Sequence, residues 1–592
     1  MIGFWIVFSV LLLLMLAVLE LNKNILLGFA LLALVAAAFA VLFLKALRKK
    51  WYFAALGWIG FLGCFVGILF LTWPPTKPVP AYEPGTEPVR TAVVSVRDGD
   101  VRGVVIGDCA VELYAGIPYA APPVGELRWK APQDPAPWDG VLEADHFAPM
   151  AAQPTNLPIY DSLAQIIGYH DYRISLYDNY VEPVSEDALY LNVWKPAGTQ
   201  ENLPVIVYIH GGSLQTGQPW YGDYAGKGIA AVENVVVVNL GYRLGAFGFL
   251  ATEELAAEAG TAGNYGLLDQ IKALEWVRDN IAAFGGDPEQ VTLAGESAGS
   301  ACVSALCTSP LAKGLFRYAL LESSTVVSVE PPHSYRPLDE AMESGAKLME
   351  RLGAGSLAEL RALDASALIP EAYTQHHITI DGTVLTESPY ASYRKGEHNE
   401  QAILHGYNSR ESGPFILFSQ ASMKDYEQRV RRYFGEHADE VLALYPAATD
   451  AEAKAYWAEI YGAIFFDYSH YCLNRLAVEN GIPAWEYYFS KENGRLGPWH
   501  SGEMIYCYGN VPTNSKLFDA RDCELSGQIL RYFANFTKTG DPNGDGLPLW
   551  ERNEGSSRLM EFGDETEMID EREHALFAVL DAMQGWTEKL RW

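Results

Sequence analysis

Val291-Thr-Leu-Ala-Gly-Glu-Ser-Ala-Gly299 runs a short apolar strand straight into Gly-x-Ser-x-Gly, and the reading of the whole chain starts from it. In this pattern Ser297 occupies a tight strand-to-helix turn. Gly295 and Gly299 let the two backbones approach where a β-carbon would not fit, and the turn lifts the serine Oγ clear of the sheet. The flanking sequence agrees. Leu267, Ile271, Leu274, Val277 and Ile281 recur at spacings of four and three, which predicts a helix. Gly285-Gly286 stops that helix, and Asp287-Pro288 turns the chain into the strand.

A serine hydroxyl is a poor nucleophile without a base, an acid to orient that base, and donors for the oxyanion. Pro204-Val-Ile-Val-Tyr-Ile209 reads as a buried strand ending in His210-Gly211-Gly212-Ser213. That glycine-rich loop precedes the serine, as the hydrolase order requires, and its Gly212 and Ser213 N–H groups would join that of Ala298 around an oxyanion. The acid and base should then follow the serine in that order, and Glu411 and His500 do so. Order alone does not choose His500 from the other histidines.

At this point the sequence, from about Val94 to Trp586, resembles the type B carboxylesterases and cholinesterases. Gly116-Ile-Pro-Tyr-Ala-Ala-Pro-Pro-Val-Gly125 with Leu127-Arg128-Trp129, and Ser185-Glu-Asp-Ala-Leu-Tyr-Leu-Asn-Val-Trp194, are similar to the family's two N-terminal signatures. Asn264-Tyr-Gly-Leu-Leu-Asp-Gln270, Phe284-Gly-Gly-Asp-Pro288 and Gly295-Glu-Ser-Ala-Gly299 resemble its nucleophile region almost letter for letter. Gly406-Tyr-Asn-Ser-Arg-Glu411 matches the segment ending in the family's acid, with Arg410-Glu411-Ser412 where Asp-Glu-Gly is usual. Trp499-His500-Ser-Gly-Glu503 matches the segment carrying the base, and Ser323 falls where the family keeps a second serine that bonds within the triad network. The resemblance implies an α/β-hydrolase fold with a mixed, mostly parallel sheet, and ester hydrolysis through Ser297, Glu411 and His500. Gly212, Ser213 and Ala298 would form the oxyanion hole, with Ser323 and Glu296 in a supporting layer.

His210 is expected to hold the oxyanion loop in shape and Ser323 to be structural. Asp541-Pro-Asn-Gly-Asp-Gly546 opens like an EF-hand loop, but its twelfth position is Arg552 in place of a bidentate glutamate, so it reads as a turn. His376-His377 lacks a partner at ligand spacing. No metal or cofactor is expected.

The N-terminus carries a second message. Ile2 to Leu19, Ile25 to Leu44 and Trp51 to Trp73 are apolar stretches, each long enough at ~1.5 Å per residue to cross a hydrocarbon core of ~30 Å. The first lacks the basic n-region of a signal peptide. Three transmembrane helices are therefore expected over residues 1–73. Lys45, Arg48, Lys49 and Lys50 fill the second turn, while the first holds Glu20 and Lys23. The positive-inside rule then puts the N-terminus and the basic turn in the cytoplasm, and everything after the third span outside, as a multi-pass protein of the cell membrane. Prolines at 74, 75, 78, 80, 84 and 88 predict a semi-rigid spacer over 74–90, and 91–592 is expected to be one hydrolase domain with long insertions.

Of the net charge of −30, residues 1–74 contribute five basic and one acidic side chain, so the remainder stands at −34. That argues against a nucleic-acid partner, which needs a basic footprint. The seven cysteines, at 64, 109, 302, 307, 472, 507 and 523, show neither metal spacing nor a paired framework. By the resemblance, Ala151 and Ala188 stand where secreted relatives close a disulfide. The expected partners are a small ester and the lipid bilayer, and oligomeric state stays open. A non-catalytic adhesion or receptor ectodomain of the same fold is the rival reading, opposed by retention of all three triad residues. A cholinesterase is disfavoured, because residues 151–188 hold five tyrosines and no tryptophan.

Overall fold

Near-continuous apolar runs along strands buried on both faces, such as Leu203–Ile209 and Val236–Leu240, call for a sheet covered by helices on each side. The computed structural model has that arrangement. It describes residues 2–107, 110–167, 179–198, 201–329, 331, 335–416, 422–492, 497–513, 515–555, 558–570 and 575–583. Cys109, Trp586 and three of the five tyrosines noted above, Tyr169, Tyr172 and Tyr177, lie outside them. The six described cysteines are free thiols.

Contacts divide the chain into two compact units. The larger, residues 80–154 and 184–592, is built on a sheet of thirteen strands among the described residues. Twelve form its main path: β1 (Arg90–Val96), β2 (Gly99–Ile106), β3 (Val111–Pro118), β4 (Tyr190–Pro196), β5 (Leu203–Ile209), β6 (Val236–Leu240), β7 (Gly286–Glu296), β8 (Tyr318–Glu322), β9 (Ile403–Asn408), β10 (Ala484–Phe489), β11 (Arg558–Phe562) and β12 (Thr566–Asp570). Their spatial order is β12-β11-β10-β9-β8-β7-β5-β6-β4-β3-β2-β1. From β6 to β11 neighbouring strands pair in parallel, and the flanking pairs are antiparallel. This is the mixed, mostly parallel sheet of the α/β-hydrolase fold.

Register brings the functional strands level. Ile209 lies opposite Gly295, Glu296 opposite Glu322, and Glu322 opposite Gly406. The loops that leave β5, β7, β8 and β9 therefore emerge side by side at the carboxyl edge, where open α/β sheets bind ligands.

The smaller unit comprises residues 1–79 and 155–183. Helices α1 (Ile2–Leu21), α2 (Leu26–Lys45) and α3 (Trp51–Leu71) are each long and apolar enough to cross a membrane. They pack through an aromatic seam in which Phe4, Phe39, Phe43 and Phe61 stack pairwise. Buried Asn24 fastens one end: its Nδ2 group donates to the carbonyls of Leu69 and Thr72 at 2.8 and 2.9 Å and to the Thr72 hydroxyl at 2.9 Å. The α1–α2 turn and the end of α3 therefore share one end of the bundle, and Lys45 to Lys50 lie at the other. Segment 155–183, placed by the sequence reading within the hydrolase, groups with these helices and contains α4 (Pro158–Ile167). The proline stretch is not a free spacer along its whole length. Val181 N–H donates to Pro75 O at 3.0 Å and Lys77 N–H to Val181 O at 3.1 Å.

In the larger unit, α5 (Tyr265–Asn280) and α6 (Ala298–Thr308) cover the sheet beside the elbow, and α7 (Ala520–Thr539) packs on β5 and β7. A β-carbon on Gly299 would collide with the Ile209 carbonyl oxygen, whereas one on Gly527 of α7 meets nothing within 4 Å. Gly299→Ala should lower unfolding stability by about 2 kcal/mol or more, and Gly527→Ala should raise it by up to ~1 kcal/mol. Thermal unfolding of both variants checks the pair. Equal effects would mean that the elbow tolerates a wider strand–helix gap.

Candidate active site

Ser297 ends the β7 run at φ 56° and ψ −125°, a conformation that costs a non-glycine residue on the order of 1–3 kcal/mol. Three things hold it there. Its N–H donates to Glu322 O at 2.9 Å, which continues the β7–β8 ladder. Its carbonyl accepts from Ala301 N–H at 3.0 Å, which starts α6. A β-carbon on Gly295 would lie 2.6 Å from the Gly299 carbonyl carbon, so strand and helix are already in contact.

His500 arrives on a loop whose Nε2 lies 2.8 Å from Ser297 Oγ and whose Nδ1 lies 2.6 Å from Glu411 Oε2. The three side chains come from positions 203 and 89 residues apart, and they meet at one point. Glu411 is buried, and its other oxygen accepts Asn408 N–H at 2.7 Å. Burial pushes the Glu411 carboxyl upward, and the Asn408 N–H and Ser323 hydroxyl pull it back. Phe415 and Phe466 cover the imidazole, with ring centroids 5.2 and 4.7 Å from it. Phe466 is positioned by a π-helical turn, Ala463–Asp467, a widened turn of the kind that recurs at functional sites.

The loop after β5 curls through Gly212, Ser213 and Leu214 at φ 108°, 57° and 58°. Gln215 and Thr216 close it with N–H bonds to Gly212 O, both at 3.0 Å. Ala298 opens α6, so its N–H is among those a helix start leaves without an intrahelical acceptor. His210 is fully buried and stacked on Tyr242, and its Nδ1 lies 2.8 Å from Gly211 O. Burial holds it near a pKa of about 4, so the ring is neutral and braces the loop.

Beneath the serine lies a group of buried carboxyls that motif reading only partly exposes. Ser501 Oγ donates to Glu296 Oε1 at 2.6 Å, and Ser323 Oγ donates to Glu503 Oε1 at 2.8 Å. Asn408 Nδ2 bonds both the Trp499 carbonyl, at 2.7 Å, and Glu503 Oε2. Asn408 thus grips the acid with its backbone and the loop bearing the base with its side chain. Arg410, the departure from the family's acid segment, pairs outward with Glu492, and its N–H donates to Pro498 O at 3.0 Å. Glu322 accepts from the Tyr508 hydroxyl at 3.1 Å. Burial, then the nearby Glu503 and Glu296 charges, hold Glu322 well above the usual carboxylate range. Sequence reasoning missed Asn408 and Glu322 as site residues and gave Glu503 no role, although all three stand in or beside segments it singled out.

Among the described residues, His405, His470 and Glu486 lie close enough to hold a metal ion. Their atoms are instead joined in a buried chain. His470 Nδ1 lies 2.9 Å from His405 Nδ1, His405 Nε2 lies 3.0 Å from Asn474 Oδ1, and Asn474 Nδ2 donates to Glu486. Burial drives both imidazoles toward the neutral form, as such a chain requires.

Comparison with known proteins gives the family. The sequence model described as "Carboxylesterase family" matches residues 90–578. The chain belongs to the carboxylesterase family. It is 33% identical over 493 residues to fumonisin B1 esterase of Sphingopyxis macrogoltabida, a match covering 79% of this chain and 85% of that enzyme. Over 503 residues it is 33% identical to the medium-chain fatty acyl-CoA hydrolase precursor of Anas platyrhynchos, covering 78% and 87% of the two chains. Acetylcholinesterase of Leptinotarsa decemlineata is 30% identical over 551 residues, covering 82% and 85%. As in this carboxylesterase family generally, the large sheet and the loops at its carboxyl edge belong to an α/β hydrolase.

The carboxyl group beneath the serine has a pH signature. Because Glu322 titrates in the fold well above its ordinary 4.5, the folded protein carries one more proton there than the unfolded chain once pH exceeds that value. Its contribution to stability therefore falls as pH rises, by up to about 1.4 kcal/mol per unit. Glu322→Gln keeps an acceptor for Tyr508 and should become progressively more stable than wild type between pH 5 and 8. Unfolding curves of both proteins in detergent across that range measure this, and parallel curves would mean that Glu322 is ionised in the fold.

Proposed function

We propose that this chain is a membrane-anchored serine carboxylesterase that works through an acyl-enzyme, with its catalytic unit outside the cytoplasm. The observation that carries the chemistry is the unbroken contact series from Ser297 Oγ through His500 to Glu411. His500 Nε2 takes the Oγ proton as the serine attacks an ester carbonyl. The N–H groups of Gly212, Ser213 and Ala298 receive the oxyanion, an effect worth roughly a hundred- to a thousandfold per donor in rate. His500 returns the proton to the departing alcohol. Water then repeats the sequence, using His500 as base, and frees the acid. Glu411 holds the imidazole in the tautomer that points Nε2 at the serine and balances the imidazolium formed in each half. The Phe415 and Phe466 rings beside His500 favour an apolar ester, and the chain's net charge of −30 disfavours an anionic one.

Ser297→Ala should leave a folded protein whose ester hydrolysis falls by about a million-fold, and a fluorophosphonate should label Ser297 alone. Labelling elsewhere, or wild-type turnover by the alanine variant, would mean that Ser297 is not the nucleophile, whereas a wild-type protein that neither hydrolyses esters nor takes the label would favour the non-catalytic ectodomain.

Glu411→Gln should keep the fold and lower kcat by about ten-thousandfold. A loss below about tenfold in steady-state assays would move the orienting role to another carboxylate.

The membrane reading rests on three helices of sufficient length and apolarity, and the orientation on the four basic residues at one end of the bundle. Protease added to intact cells should cut the exposed stretch Glu83–Glu87. Cleavage only after lysis would place the catalytic unit in the cytoplasm.

A further inference from the structure

The chain leaves the catalytic unit at Pro154 and re-enters it at Val184, and between those points it belongs to the helical unit. Helix α4 of this excursion packs on α1. Its inner side is formed by buried Pro158 and Ser162, with half-buried Ile159 and Ile166 at the edge. A helix facing water should then be polar on the other side. Instead, Leu157 at its start, Tyr160 and Leu163 point outward, with 49%, 60% and 37% of their surface exposed, and Ala164 lies between them. Apolar side chains therefore occupy both faces, and charge is confined to the flank at Asp161.

The return strand of the excursion fixes its height along the bundle. Asn179 Nδ2 donates to Asn24 O at 2.8 Å, in the turn between α1 and α2. Val181 is bracketed by Pro75 and Lys77 just beyond α3. Lys23 of the same turn acts on the Glu182 carboxyl, which burial pushes upward. Helix ends, charged residues and an amphipathic helix with an outward tyrosine at one level describe the headgroup layer of a bilayer.

We infer that α4, with the stretch 179–183 that docks on the α1–α2 turn, is a second membrane attachment of the esterase, its Leu157, Tyr160 and Leu163 immersed in the lipid interface. It rests on the reading of α1–α3 as membrane spans. The occupant of the outward face is lipid because α4 lies on the flank of α1, whose own outward residues, among them Ile6, Val10, Leu13 and Leu14, are exposed apolar groups that only hydrocarbon covers. The catalytic unit is then held at three chain crossings, at 79–80, 154–155 and 183–184, and cutting the first leaves it bound.

The test uses full-length protein in its native membranes, with a site-specific protease sequence inserted between Gly85 and Thr86. Before cleavage, activity should sediment with the membranes; if it does not, the reading of α1–α3 fails, independently of the second attachment. After complete cleavage, activity should still sediment, resist high salt and be released by detergent. Release of wild-type activity into the supernatant overturns the inference. The triple variant Leu157→Asp, Tyr160→Asp, Leu163→Asp should stay in membranes while uncut and partition into the supernatant after cleavage, a shift on the order of a hundredfold. Retention equal to wild type overturns the role of this face. A readout that tolerates a folding failure of that variant is Tyr160→Trp. Relative to wild type, its added fluorescence should be quenched by lipids brominated near the headgroup. Retention without quenching would mean that a protein surface, such as a second copy of the chain, covers α4, and would equally overturn the lipid assignment.

Discussion

The backbone of Ser297 is the constraint around which the catalytic unit is arranged. A residue with a side chain is held at positive φ, and nothing local favours that. The conformation persists because the strand before it is locked between β5 and β8, and because the helix after it has no room to retreat from the Ile209 carbonyl. The same two pairings set Glu296 beside Glu322 and bring the β9 loop level with the serine. Strain at one residue is thus the local expression of a register shared by four strands, and losing that register would scatter the site as surely as removing the hydroxyl.

Position of the imidazole depends on a second fastening. The acid loop and the base loop are separate in sequence, and Asn408 joins them: its N–H holds Glu411, and its side chain holds Trp499 O and Glu503. Arg410 N–H to Pro498 O adds a backbone stitch at the same place. A substitution at Asn408 therefore moves acid and base relative to one another even though the side chain touches neither the serine nor the imidazole. Burial, with the neighbouring carboxylates, raises the buried carboxyls Glu296, Glu322 and Glu503 above their ordinary range, so each is biased toward holding its proton.

The elbow and its flanking helix were readable because both are local: five residues fix the turn, and apolar spacing fixes the helix that the structure has at Tyr265–Asn280. The loop after β5 was readable for the same reason. Glu411 and His500 were chosen through family likeness, because chain order leaves several histidines available. Asn408 and Glu322 escaped attention because their contacts are made by strand register and by side chains 95 and 186 residues away, to Glu503 and Tyr508. The excursion through 155–183 was invisible for a different reason. A ten-residue amphipathic helix inside an enzyme sequence has the composition of an ordinary insertion, and nothing in its own residues names the surface it packs on.

Asn24 also fixes an order of assembly. Its side-chain amide is satisfied by Leu69 and Thr72, partners 45 and 48 residues downstream, so the three-helix bundle can close as soon as α3 has been made. Its carbonyl waits for Asn179, 155 residues downstream. During synthesis the anchor is therefore complete at one end before the chain that will latch onto it exists, and strands β1 to β3 emerge in the interval. The turn acts as a preformed socket to which the stretch carrying Asn179 returns, and only β1 to β3 of the main path of the hydrolase sheet are made before that latch can close.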